Sequence, residues 1–438
     1  MLFRGEAVPP GAAIAANSVR RNAAWMVVGN LATALTQCGI LMVLSKLGSE
    51  YIQGRFSLCM SIAAPLSIFL SLNLRVLMVT DVEERFTFED YLSVRAWSCL
   101  LMVPAAVAIG AWLLWRGAYD ANFVIVLAAV AGFKALEWIS DICYAAFQKR
   151  QRMEFTAISQ TLRAGLVLVA MLVAMLLTHS LIVATFAWLT VSAAMALGYD
   201  LRNARRFYPA RGTVRAQRGW QICREAIPLV ITIVLLSVNA NMSGYVIAAH
   251  CSEAEVGYFT AMNYVVQALG LVFVALGTAA MPKMAEYYQT CPAALAPLLV
   301  KAGLATTAIA GAAFVASLLF GRWFLRLAYR PQYAEHVEVL WILSGGSILV
   351  GLSSLSGYAA TACRAFRTGA VTWGVIVLVT LVGGIVLVPR WGIVGAAWAN
   401  VASNAVAFLL MTAIAIMAGR HRARVLRQHR VPADNGSI

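Results

Sequence analysis

The sequence predicts an all-α polytopic membrane protein, with about twelve transmembrane helices in two parallel-related six-helix lobes around a central cavity. Three observations lead there. First, 61% of the 438 residues are apolar and only 12% are charged, with a mean hydropathy of +0.77; a water-soluble domain carries charge on about a quarter of its residues. Second, apolar runs of about 20 residues, the length that crosses a bilayer as a helix, recur along the chain and leave no room for a large extramembrane catalytic domain. Third, Ser49-Glu50-Tyr51-Ile52-Gln53-Gly54-Arg55-Phe56 returns as Ser252-Glu253-Ala254-Glu255-Val256-Gly257-Tyr258-Phe259. Both copies read S-E-x-x-x-G-x-F between two apolar runs. Each is therefore expected to be a tight polar turn whose glycine lets the backbone bend where the next helix begins. The offset, 252 − 49 = 203 residues, points to a duplicated bundle whose second half starts near Ile227.

In chain order, a cytoplasmic tail (1–22) precedes a first span from about Ala23 to Leu44. No apolar core followed by a cleavage-like site precedes it, so this helix is expected to stay as an uncleaved anchor. The second span runs from Phe56 to about Leu77, with a kink expected at Pro65. After the acidic interval Asp81, Glu83, Glu84, Glu89 and Asp90 come spans at about Ala96 to Trp115, Asn122 to Phe147, Ile158 to Leu177 and Leu181 to Tyr199. They complete an N-terminal lobe over 23–200. A basic linker, 201–226, holds seven arginines from Arg202 to Arg224, Arg211, Arg215 and Arg218 among them, interleaved with Phe207, Tyr208 and Trp220. Such a segment suits the headgroup layer of an anionic leaflet. The C-terminal lobe, 227–418, has spans at about Ile227 to Ala249, Gly257 to Met281, Ala302 to Phe320, Val337 to Ala360, Val371 to Val388 and Ile393 to Ala418, and a basic cytoplasmic tail, 419–438, closes the chain.

The formal charge of +15 belongs to this topology rather than to nucleic acid. With the N-terminus inside, 24 Lys and Arg fall in inner segments and 7 in outer loops, which places both termini in the cytoplasm. Six spans per half also make the repeats parallel, related by an axis along the membrane normal. The eight cysteines form no C-x-x-C pair, and no nucleotide-binding, zinc-protease or serine-hydrolase motif is present, so no cofactor or metal is expected.

Span four carries the strongest chemical signal. At 100° per residue Lys134, Glu137 and Asp141 lie within a 60° arc, which Tyr144 and Gln148 extend. Charges at membrane depth are costly and commonly face a bundle interior or a wet path. Lys134 and Glu137, at i and i+3, can equally neutralise one another and staple helices. Span seven offers Asn239 and Asn241, and span eight Asn263 and Gln267 at i and i+4, while Asn30, Thr33 and Gln37 line the first span. Carboxamides suit sugar hydroxyls because each donates and accepts; they also bond one membrane helix to another. Arg75 and Arg163, near the cytoplasmic ends of their spans, could grip a phosphate bidentately or snorkel to the headgroups.

Nearly the whole chain resembles the polysaccharide transporters, the Wzx-like lipid-linked oligosaccharide flippases of the multidrug/oligosaccharidyl-lipid/polysaccharide (MOP) superfamily. The residues that carry the resemblance are Leu47-Gly48 with the first marker turn and Ser57, and Leu72-Asn73-Leu74-Arg75 leading to Thr80-Asp81. They also include Lys134-Ala135-Leu136-Glu137 with Ser140-Asp141 and Gln148-Lys149-Arg150, Ser237-Val238-Asn239-Ala240-Asn241 leading to Tyr245, Gly257-Tyr258-Phe259-Thr260-Ala261, and Gly392 to Ala397. The resemblance implies export of exopolysaccharide, capsule or O-antigen units. An oligosaccharide on polyprenyl pyrophosphate would cross the inner membrane to its outer leaflet by alternating access, with a polysaccharide polymerase and export machinery as partners. Family members resemble N-x-P-R-Y after the span-seven asparagine, whereas this chain reads Asn241-Met242-Ser243-Gly244-Tyr245. A phosphate role there passes to Lys134, Arg75 and Arg163. Two other readings stay open: a drug-cation antiporter of the same superfamily, favouring acidic residues in its cavity, and a membrane glycan polymerase or ligase, which needs a catalytic carboxylate.

Overall fold

Runs of Ala, Leu, Val, Ile and Met this long can satisfy their backbone hydrogen bonds in lipid only by coiling into helices. The computed structural model describes residues 10–81, 85–208, 216–291, 294–363 and 369–428, and among these every long element is helical. In order they are α1 (Pro10–Leu47), α2 (Glu50–Ser71), α3 (Leu74–Thr80), α4 (Phe88–Trp115), α5 (Ala121–Lys149), α6 (Met153–Thr178), α7 (Leu181–Ala193), α8 (Leu201–Phe207), α9 (Ala216–His250), α10 (Glu253–Thr290), α11 (Leu295–Ala328), α12 (Val337–Ala362) and α13 (Gly369–Gln428). A π-helical segment, Ala194–Asp200, joins α7 to α8, and a 3₁₀ turn, Pro331–His336, leads into α12. Glu83, Glu84, Arg211 and Arg215 of the sequence reading lie outside the described residues, as do the ends of both tails.

Eleven segments among the described residues are long and apolar enough to cross a membrane. The last, Val371–Arg424, is 54 residues long, more than twice a span, and is broken at Gly392, whose φ of 54° and ψ of −136° leave the helix. A residue with a side chain resists that conformation. The break divides α13 into two crossings, which makes twelve among the described residues. The chain is a multi-pass membrane protein.

It divides into two compact units, one of Met1–Ser49 with Ile62–Ile231, the other of Glu50–Ser61 with Thr232–Ile438. In the first, α5 is the axis, packed by α3, α4, α6, α7 and α8, while α1 lies along α6. Half of the apolar window of α5 is buried, and the Phe133 ring stacks on Trp188 at 4.2 Å. At one end of α5 the aromatic cluster Phe147, Phe155 and Phe207 continues to Phe88, stacked on Tyr208 at 5.6 Å. Phe207 and Tyr208 are half-buried against these rings, while Trp220 is exposed. Two charges of this region are paired: Arg218 with Asp90 at 3.3 Å and Glu225 with Arg85 at 3.0 Å. In the second unit α12 is the axis, flanked by α10, α11 and α13, and equally half buried in its apolar window.

Three local outcomes differ from expectation. Helix α4 begins at Phe88 rather than Ala96, because Thr87 and Asp90 form a reciprocal capping box that satisfies the first backbone donors. Helix α2 continues through Pro65, and the chain breaks instead at Leu72 and Asn73, both left-handed with φ of 53° and 46°. Pro65 cannot donate to the Ser61 carbonyl, four residues earlier; the Tyr245 hydroxyl on α9 donates to that carbonyl in its place. The third concerns the repeated glycines, which do not make turns. Gly54 and Gly257 lie inside α2 and α10, where the two helices of the second unit cross with almost no gap. A Cβ on Gly54 would fall 1.6 Å from the Glu253 carbonyl oxygen, and one on Gly257 would fall 2.6 Å from that of Glu50. Around the crossing Arg55 donates twice to Glu253, at 2.9 and 3.1 Å, and Gln53 Nε2 donates to the Gly257 carbonyl at 3.3 Å. Gln53 Oε1 accepts from the Tyr333 hydroxyl.

Candidate functional site

The polar stripe of α5 is present, but it is divided between two ion-pair systems. Lys134 Nζ lies 2.9 Å from Glu137 Oε2, both on the same helix and both partly exposed. Asp141, one turn on, turns away from that pair and accepts from Arg75 Nη1 at 3.1 Å. The same guanidinium donates to Gln148 Oε1 at 3.1 and 3.3 Å and rests over the Tyr144 ring at 5.9 Å from its centroid. Arg75 is therefore folded inward along the stripe rather than extended to headgroups. Its place depends on the left-handed Leu72-Asn73 break, which starts α3 beside α5.

Arg95 joins from α4. Its side chain is 0% exposed, its Nη1 donates to the Ser71 carbonyl at 2.7 Å, and its Nη2 lies 3.9 Å from Asp141 Oδ2. Trp138 lays its ring 5.4 Å from the guanidinium carbon. Hydropathy alone leaves Arg95 in the loop, just ahead of the third span expected from about Ala96. The T-x-x-D capping signal at Thr87–Asp90 was the cue that puts it two turns inside a helix.

Arg163 on α6 also finds protein partners. Its Nη2 donates to Asp200 Oδ2 at 2.8 Å and to the Ser140 hydroxyl. Asp200 is fully buried, at the end of the π-helical segment. The widened π turn carries the helix on past the expected end of span six at Tyr199, so this carboxylate sits in the unit and not in a linker. Nearby the Tyr144 and Ser159 hydroxyls are 2.8 Å apart.

In the second unit the carboxamides part company. Asn239 Oδ1 and Ser403 Oγ each lie 2.6 Å from the Thr380 hydroxyl, which ties α9 to α13. Asn241 donates to the carbonyl of Ser237 on its own helix, at 2.8 Å. Asn263 is half-buried and Gln267 exposed on α10, and neither forms a hydrogen bond with the described residues. Among the described residues no three His, Cys, Asp or Glu side chains converge as metal ligands.

This constellation, ion pairs and amides lodged at membrane depth in a twelve-span protein, can hold charge and hydroxyl groups in a bilayer. Residues 19–288 match the family described as "Polysaccharide biosynthesis protein", well over half of the chain. The chain belongs to that family. This polysaccharide biosynthesis protein is 23% identical over 393 residues to the capsular polysaccharide biosynthesis protein CapF of Staphylococcus aureus, an alignment covering 89% of this chain and 97% of that one. Its fold is shared with solved membrane transporters. It superposes on the lipid II flippase MurJ in an inward closed conformation with a TM-score of 0.71 at 13% identity, covering 94% of each chain. It superposes on an inward-facing multidrug resistance MATE family transporter of the MOP superfamily with a TM-score of 0.70 at 15% identity, covering 91% of this chain and 96% of that one. The two-lobe, all-helical fold expected of the sequence is thus the fold these transporters share.

Proposed function

We propose that this polysaccharide biosynthesis protein flips a polyprenyl-pyrophosphate-linked oligosaccharide from the inner to the outer leaflet of the bacterial inner membrane by alternating access. One observation carries the reading: membership of a polysaccharide biosynthesis family coincides with a transporter fold over nearly the whole chain. A family that builds glycans needs its lipid-linked intermediates moved to the side where they are polymerised, and this fold suits movement. On this reading both termini are cytoplasmic, the 23–200 and 227–418 lobes rock about a central cleft, and a polymerase and export machinery receive the product. Lys134 and Glu137 are assigned to the substrate path, as are Asn263 and Gln267, which find no hydrogen-bond partner among the described residues and offer amides to sugar hydroxyls. Asn239, Asn241, Arg75, Asp141 and Arg163 line or brace the same path.

Reconstitution tests the reading. Liposomes bearing the protein and a labelled polyprenyl-pyrophosphate oligosaccharide should expose label on the opposite face faster than protein-free vesicles. No movement across several glycans, with an ion gradient imposed on folded and oriented protein, would overturn it. Organic-cation efflux by the same vesicles would then favour the antiporter reading, and sugar incorporation into polymer the enzyme reading.

Two variants address the path. Lys134→Ala is expected to abolish translocation while leaving membrane abundance unchanged. Were the lysine a structural staple only, abundance would fall instead and Glu137→Gln would partly restore it. Gln267→Ala, at an exposed position with no hydrogen-bond partner among the described residues, should leave the thermal midpoint unmoved and lower the transport rate by about tenfold, the cost of one lost polar contact to substrate. An unchanged rate would remove Gln267 from the path.

A further inference from the structure

We infer that the first unit binds a small monovalent anion beside Arg95, in a crevice walled by Ser67, Ser71, Ser98, Cys99 and Trp138. The inference does not depend on the flippase reading, because it concerns a charge imbalance inside one unit.

Charge comes first. Arg75 and Arg95 both turn to Asp141, at 3.1 and 3.9 Å, and among the described residues no other carboxylate pairs with either. Glu137 is taken by Lys134, and Asp200 by Arg163. The five charged side chains in and around the α5 stripe, Arg75, Arg95, Lys134, Glu137 and Asp141, sum to one positive charge, while Glu89 and Asp90 lie in the first turn of α4 and Lys149 in the last turn of α5. A buried charge without a partner is strongly disfavoured, and the more so in a membrane-spanning unit.

Hydrogen bonding points the same way. Arg95 is wholly buried, yet its Nε and Nη2 find no acceptor in the protein, and neither does the indole N–H of Trp138. All three are donors, and both residues line the crevice. The hydroxyls of Ser67, Ser71 and Ser98 donate to carbonyls of their own helices, and no carboxylate is among the residues that wall the crevice. Buried donors of this kind normally find partners. Unpaired donors around one surplus positive charge select an anion, and the narrow crevice selects a small one, such as a halide.

The test uses the full-length protein in detergent, with gluconate as the starting anion and chloride exchanged in at constant ionic strength, reading the thermal midpoint. The midpoint should rise saturably with chloride. Asp141→Asn adds a second unit of positive charge and should lower the half-saturating chloride concentration by about tenfold. Arg95→Gln should abolish the chloride dependence, and Arg95→Lys, which keeps the charge, should retain it with weaker affinity. A complementary reading uses bromide, which should quench a saturable fraction of tryptophan fluorescence that Trp138→Phe removes. A midpoint indifferent to chloride in the native protein would overturn the inference and assign the free donors to water. It would also fall if a polyprenyl phosphate raised the midpoint and chloride did not, since the site would then belong to a lipid phosphate. Equal chloride dependence in Arg95→Gln would place the effect elsewhere.

Discussion

Gly54→Ala is expected to break the crossing of α2 and α10 and to be the most damaging glycine-to-alanine substitution among the described residues. The added carbon would lie 1.6 Å from the Glu253 carbonyl oxygen, a backbone atom that no side-chain rotation can clear. Overpacking of this kind costs about 1–3 kcal/mol where side chains can yield, and here the helices themselves must part. With them go the paired bonds of Arg55 to Glu253 and the Gln53 bond to the Gly257 carbonyl. Gly257→Ala should do less harm, since its clash with the Glu50 carbonyl is at 2.6 Å. Gly165→Ala, with nothing within 4 Å, should be neutral. Thermal midpoints of the three purified variants check the order, and maleimide labelling of Cys251, one residue before the second marker, should accelerate most in Gly54→Ala. Equal midpoints for Gly54→Ala and Gly165→Ala would show that the helices do not cross this closely.

Removal of Asp200 is expected to cost nearly as much. Its carboxylate holds Arg163 at 2.8 Å, with side chains 0% and 11% exposed. Deleting one member of a buried pair strands the other charge, at about 3–5 kcal/mol. Asp200→Ala should therefore reduce membrane abundance severely. Replacing both, Arg163→Met with Asp200→Leu, removes the stranded charge and should recover most of the abundance, because apolar substitution of a buried pair is commonly neutral or better. If Asp200→Ala accumulates like the native chain, Arg163 is solvated or has another anionic partner.

How far the sequence disclosed these features depends on what each residue leaves in the pattern. Spans are legible because twenty apolar residues in a row have one solution in lipid. The α5 stripe is legible because helical periodicity is fixed before any packing is known. Which partner each charge takes is not: Lys134 found Glu137 on its own helix, while Asp141, one turn further, was claimed by Arg75 and Arg95 from two other elements. Arg95 and Asp200 escaped notice for one reason. A hydropathy window ends a span at the first charge, whereas the helix continues when a capping box or a π turn carries the backbone further. The marker glycines were read as turn residues because a glycine five positions after a serine cap fits both uses. A crossing partner two hundred residues away leaves no local trace.

The bond from Tyr245 to the Ser61 carbonyl bears on how the chain is made. Helix α2 enters the membrane with one carbonyl that Pro65 cannot serve, and a lone carbonyl in hydrocarbon is unfavourable. The hydroxyl that satisfies it lies 184 residues downstream. At a synthesis rate of about 5–20 residues per second, the nascent second helix waits about 10–40 seconds for the seventh span to emerge. Until then it is an unfinished part, dependent on the translocon or a chaperone to keep that carbonyl wet. Proline and tyrosine thus set an order of assembly: the early helices of this protein are completed only by a late one.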